Sequence, residues 1–169
     1  MHVFCGHTHF FENAEVSPRL FQHNIGAACG AWWTGNYNRC GAPNGYMIVK
    51  VDGKNVSWTY KPTGGSEKYQ MRVYAPGTFN TKKEYVVANI WDWDPKCKVE
   101  WYQDGKYAGQ MTMAIGYDQA YMQTKFARQH KCRTRHLFIA KPHSDYKSLK
   151  IVYTNRFGAK STWEGVRRR

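Results

Sequence analysis

An all-β fold is what this sequence predicts, a sandwich of the immunoglobulin or fibronectin kind. Three observations carry that reading. Aromatic residues are abundant, with Trp 7, Tyr 12 and Phe 8 in 169 residues, and such side chains suit a pleated, half-buried surface. Seven or so short strand-like runs, separated by turn signals, recur over residues 46–169. Two of the separators, Asp52-Gly53 and Asp104-Gly105, carry the sequence signal of a tight hairpin.

Taken in order, Tyr46-Met47-Ile48-Val49-Lys50-Val51 is a strand, and Asn55-Val56-Ser57-Trp58-Thr59-Tyr60 returns from the first Asp-Gly turn as its hairpin partner. Pro62-Thr63-Gly64-Gly65 breaks the chain; Tyr69 to Tyr74 makes the next strand and Ala75-Pro76-Gly77 ends it. Val86 to Trp91 is a strand. Lys98 to Tyr102 alternates polar and apolar residues and turns through Asp104-Gly105 into Tyr107 to Met111. His136 to Ala140 and Leu149 to Thr154 complete the set. Residues 118–129 form the one helical candidate, with Asp118 as its N-cap. Ahead of residue 46, Glu15-Val16-Ser17-Pro18 interrupts regularity, and Gly and Asn dominate around Gly35-Asn36-Tyr37-Asn38, so residues 13–45 read as a connector. Adjacent Trp32 and Trp33 within it point to opposite faces of an extended chain and suit core or interdomain packing, or else a platform for a sugar or a base.

The chain opens on Val3-Phe4-Cys5-Gly6-His7-Thr8-His9, a short apolar run leading into Gly-His-x-His. It reads as a core-like strand and not as a signal peptide. In a strand, the spacing of His7 and His9 places both imidazoles on one face; in a loop just past a strand, both rings can reach neighbouring metal ions. Gly6 would let the backbone turn closely beneath them. Imidazole suits zinc, iron, manganese or nickel. Two histidines do not make a catalytic centre, since even a catalytic zinc takes three protein ligands and a two-metal site takes more. The bare pattern also fits a His-rich strand end.

Further runs extend this motif: His23-Asn24-Ile25-Gly26-Ala27-Ala28-Cys29-Gly30-Ala31-Trp32-Trp33-Thr34-Gly35, Gly41-Ala42-Pro43-Asn44-Gly45-Tyr46, Val51-Asp52-Gly53, Trp58-Thr59-Tyr60-Lys61 and Tyr69-Gln70-Met71-Arg72-Val73-Tyr74. Together they resemble the C-terminal portion of calcineurin-like metallophosphoesterases of Bacteroides-type bacteria, specifically over residues 1–75 and more weakly beyond. The resemblance implies that residues 1–12 are the last strand and metal loop of a truncated α/β catalytic domain, residues 13–45 a connector, and residues 46–169 the family's C-terminal β-sandwich. It implies that His7 and His9 are metal ligands, one for each ion of a divalent pair (Mn, Fe or Zn) in the parent enzyme. The family's Asp-x-His, Gly-Asp-x-x-Asp and Gly-Asn-His-Asp motifs do not stand in this sequence. The expectation is therefore a C-terminal fragment, inactive alone and without stoichiometric metal, whose partner is the missing catalytic domain and whose parent is exported or periplasmic.

Five cysteines, Cys5, Cys29, Cys40, Cys97 and Cys132, show no CxxC pair and no zinc-knuckle spacing. Cys29 reads as a buried small hydrophobe, and Cys29 and Cys40 could close a loop in an exported protein. The net charge of +13 is uneven: residues 81–169 hold eighteen basic and eight acidic groups. Lys125, Arg128, Lys131, Arg133 and Arg135 follow one another without an acid, and the chain ends Arg167-Arg168-Arg169. Such a surface attracts phosphate, nucleic acid or anionic lipid, or is simply solvated. No run approaches the roughly eighteen apolar residues of a membrane span. Trp91-Asp92-Trp93-Asp94 before Pro95 reads as a turn, with an acidic metal or sugar corner as the alternative. His130, His136 and His143 lack ligand spacing and belong at the surface or at strand ends.

Two functions follow from this. One is the C-terminal part of a metal-dependent phosphoesterase, shaping the entrance or recognising substrate. The other is a non-catalytic β-sandwich module for a glycan, a polyanion or a partner protein. Residues 3–9, cut from an α/β sheet, are expected to be loose, to pair with a second copy, or to join the β domain as an edge strand.

Overall fold

The computed structural model describes residues 1–29 and 35–167. Three strands open the chain. β1 (His2–Cys5) runs parallel to β3 (Leu20–Asn24), which pairs antiparallel with β2 (Glu12–Ser17), in the order β1-β3-β2. Two of these strands lie where an irregular connector is expected. Pro18 and Arg19 form the tight turn between them, with Ser17 opposite Leu20, so the proline ends a strand and begins a hairpin. β4 (Gly45–Asp52) and β5 (Asn55–Pro62) form the expected hairpin in full register, but among the described residues they pair only with each other and join neither sheet of the sandwich.

The sandwich proper runs through β6 (Met71–Tyr74), β7 (Val86–Ile90), β8 (Lys98–Gln103), β9 (Lys106–Gln110), β10 (Thr112–Gly116), β11 (Thr134–Ala140), β12 (Ser148–Thr154) and β13 (Lys160–Val166). One sheet has the order β10-β11-β7-β6 and the other β13-β12-β8-β9; every pair is antiparallel. Taking β6, β7, β8, β10, β11, β12 and β13 as strands A to G, with β9 as C′, the sheets read A-B-E-D and C′-C-F-G, the immunoglobulin order. The chain crosses between sheets at Met111, whose N–H donates to Val99 O at 2.8 Å.

Alternate residues of both sheets meet in one core that includes Val86, Ala88, Ile90, Val99, Phe138 and Ile151. The other face of β7 is buried too, since Phe79 packs on Val87 and Leu137 and Asn89 donates to Cys40 O at 2.9 Å and Asp118 Oδ2 at 2.8 Å. All five β7 residues are therefore buried, as a central strand covered on both sides requires. Asp104 and Gly105 have φ of 52° and 78°, which is the backbone a two-residue hairpin turn demands. Asp118 caps a single turn of helix, α1 (Gln119–Met122), accepting from Tyr121 N at 2.9 Å. The expected helix over 118–129 continues only as a 3₁₀ turn at Phe126–Arg128. Gly41, at φ 87°, lies so close to Asp118 that a Cβ would come within 2.1 Å of its Cγ.

The cysteines depart from expectation. All five are free, Cys29 is exposed, and Cys40 is fully buried, with burial pushing its thiol up to about 12. Cys29 is thus neither the buried hydrophobe nor the disulfide partner considered from sequence. Trp32 and Trp33 lie outside the described residues.

Candidate functional site

The Gly-His-x-His segment forms an exposed loop between β1 and the buried Phe11. Its two ends are fixed. Ile25 N–H donates to Cys5 O at 2.7 Å, and Arg39 N–H donates to His9 O at 2.8 Å. Across the loop, Asn24 Nδ2 donates to Thr8 Oγ1 at 2.6 Å and to Phe10 O at 2.9 Å. Phe11, fully buried, packs on Tyr60 with ring centroids 4.5 Å apart, in a cluster with Cys40, Ala42 and Trp91.

The backbone turns at the histidines themselves. His7 and His9 have φ of 76° and 53°; among the described residues, the only other non-glycine residue at positive φ is Asp104. Left-handed backbone at a non-glycine residue is costly and persists only where surrounding contacts enforce it. Gly6 does not carry the turn, since it does not have positive φ and a Cβ there would meet Ile25 O at an ordinary 3.5 Å. Phe4, Cys5, Gly6, His7, His9 and Ile25 line an open depression of about 510 Å³. His9 is held below the ordinary imidazole range, first by desolvation and then by the charges of His7 and Arg39.

Arg39 also acts on Cys132, whose thiol is raised by burial, and the Phe10 and His136 rings meet edge-on at 6.0 Å. The loop therefore adjoins the stretch that holds Lys131, Arg133 and Arg135, and those side chains, with Lys125 and Arg128, are exposed. Among the described residues no group of three His, Cys, Asp or Glu side chains could hold a metal ion. Two imidazoles do not fit a metal pair by themselves. His130 and His143 are exposed as expected. His136 is not at the surface: it is fully buried.

A second polar constellation ties the first sheet to the sandwich. Asn13 Nδ2 donates to Asp92 Oδ1 at 3.1 Å, and its Oδ1 lies 2.8 Å from His23 Nδ1. His23 Nε2 lies 2.9 Å from His2 Nδ1. Because Asn13 Oδ1 can only accept, His23 carries its proton on Nδ1 and takes the His2 Nδ1–H on Nε2. Burial lowers His23 to about 4 and raises Asp92 to about 7. Nearby, Arg156 grips Asp94 through two bonds of 2.9 Å and stacks over Phe21 and Trp58. Asp94 does make the expected turn, accepting from Lys96 N at 2.8 Å, and its other role is this ion pair. Sequence reasoning missed Asn13, Asn24, Arg39 and Arg156. The period-two run Leu20-Phe21-Gln22-His23-Asn24, which marks β3, was the signal available for the two asparagines' strand pairing.

The described residues thus form an immunoglobulin-ordered sandwich with an added mixed sheet and a histidine loop, a β-rich domain. The chain belongs to the family described as the C terminal of calcineurin-like phosphoesterase, whose model matches residues 22–160. His7 and His9 precede the matched region. No curated protein and no solved structure matches the chain.

Proposed function

We propose that this chain is the accessory domain of a Bacteroides-type metal-dependent phosphoesterase, and that His7 and His9 are donors to a divalent metal pair (Mn, Fe or Zn) whose carboxylate ligands lie on the catalytic domain. The observation that carries this reading is the loop itself: two histidines, each with left-handed backbone, His7 exposed and His9 half-buried, past the end of a parallel strand. A bound metal pair would activate water for attack on phosphorus. The residues of this chain present the donors, hold the loop in shape through Asn24 and Arg39, and set a basic stretch beside it that attracts a phosphate ester. Alone, the chain is inactive.

The test combines metal content and phosphatase activity, with added manganese, zinc or iron, on the chain and on its His7→Ala/His9→Ala variant. A zinc titration followed by imidazole NMR accompanies it. No hydrolysis and no stoichiometric metal are expected, with a weak zinc response confined to His7 and His9 and abolished in the variant. Hydrolysis lost in the variant would show a complete centre in this chain and overturn the accessory reading; a zinc response that spares both residues would remove their role as donors.

A further inference from the structure

We infer that the cleft between the β4–β5 hairpin and the β12–β13 turn is a binding site for a small organic phosphate with an apolar or aromatic body. It is a separate place from the histidine loop and does not depend on that reading. The hairpin supplies one wall. Ile48 stands opposite Thr59 and Lys50 opposite Ser57, so these four side chains share one face. Tyr153, Asn155, Phe157 and Ser161 supply the other wall, and the volume of this half-open cleft is about 550 Å³, the size of a small-molecule pocket.

The wall is built before any ligand arrives. Asn155 Oδ1 accepts from Phe157 N at 3.0 Å and Ala159 N at 2.9 Å, which fixes the turn. The Phe157 ring stands edge-on to Trp58, centroids 4.9 Å apart at 89°, and is still 44% exposed. It thus offers a fixed aromatic face beside the apolar Ile48 and Ala159.

The charge specifies the other half of the ligand. Lys50, Lys68 and Lys160 all line the cleft, against the single carboxylate of Glu67. Among the described residues none of the three lysines is in an ion pair, although Lys141 and Lys150 elsewhere on the surface each have one. Three unpaired ammonium groups around a partly enclosed cleft focus a positive potential that suits a phosphate. Gln70, 5% exposed and part of the lining, gives both amide hydrogens to Tyr60 O and Glu67 O, so its side chain is held in the wall.

Adenosine 5′-monophosphate is the probe, with adenosine and inorganic phosphate as its two halves, titrated into the full chain by calorimetry and by amide NMR. One-to-one binding of the monophosphate is expected, with shifts at Ser57, Thr59 and Phe157, and with each half weaker by about tenfold or more. The exposed changes Lys50→Ala/Lys160→Ala and Phe157→Ala should each weaken it by about tenfold while the rest of the spectrum stays that of the folded chain. Shifts confined to residues 125–135, equal affinity for inorganic phosphate, or variants that bind as the parent does would each overturn the proposal.

Discussion

His136 has no exposed surface, and among the described residues neither ring nitrogen has a hydrogen-bond partner. Burial lowers its proton affinity to about 4, against an ordinary value of about 6.5. The unfolded chain therefore binds a proton between these values that the folded chain refuses, so this group's contribution is complete above about pH 6.5 and is lost as pH falls toward 4. Asp92 acts in the opposite sense: raised to about 7 by burial, it keeps its proton longer in the fold, and its contribution falls as pH rises from about 4 to 7. Comparing a His136 variant with the parent at one pH cancels the Asp92 effect. His136→Leu is expected to stabilise by about 1 kcal/mol at pH 7, where only the orphaned ring nitrogens are removed. At pH 5 the gain grows by about another 2 kcal/mol, the proton's share over that window. Urea unfolding at the two pH values checks this, and a gain independent of pH would refute the assignment. The burial was legible in part: Thr134, His136, Phe138 and Ala140 alternate on one face of β11, but the neighbouring Lys131, Arg133 and Arg135 drew the reading toward the surface.

At the scale of elements, Arg156 fastens the opening sheet to the sandwich. It lies just past β12, holds the buried Asp94 bidentately, reaches Glu15 of β2 at 3.8 Å, and covers Phe21 of β3 at 4.4 Å. Removing one partner of a buried ion pair leaves the other charge stranded. Arg156→Ala should thus cost about 3 kcal/mol and should speed hydrogen exchange in β1 to β3 more than in β7 and β11; uniform acceleration would mean that the arginine does not hold this junction. Most sandwich strands were legible, because alternating aromatic and aliphatic residues between Asp-Gly and Pro-Gly breaks leave few other readings. Four strands were not. β2 and β3 hid behind Pro18, which marks a turn as readily as a break. β10 follows β9 with only Met111 between, so nothing in the sequence announces the change of sheet. β13 is an edge strand with Ser161 as its one buried residue, and it lacks the apolar face that betrays a strand. At the site, His7 and His9 were legible as a motif, whereas the left-handed backbone and the Asn24 and Arg39 anchors depend on contacts between distant segments.

Across the whole molecule, the three-stranded sheet and the sandwich share structure instead of merely touching. Phe11, Tyr60 and Trp91 come from different parts of the chain and form one buried cluster, and Asn13 reaches Asp92 across it. A single cooperative transition is therefore expected on heating, with tryptophan fluorescence and backbone circular dichroism coinciding; an earlier loss of the β1 to β3 amides, seen by NMR during the same ramp, would show two units. The edge position of β1 bears on how such a molecule behaves in a tube. Hydrogen-bonded on one side only among the described residues, with Val3 and Phe4 more than two-fifths exposed, it is a seam left unsewn, and bare strand margins tend to recruit one another. The charge of +13 on every copy keeps those margins apart in dilute buffer, and dissolved salt weakens that repulsion. Copies are therefore expected to associate as salt is raised and to stay single at low ionic strength, and light scattering against ionic strength checks this; a size that does not change with salt would refute it.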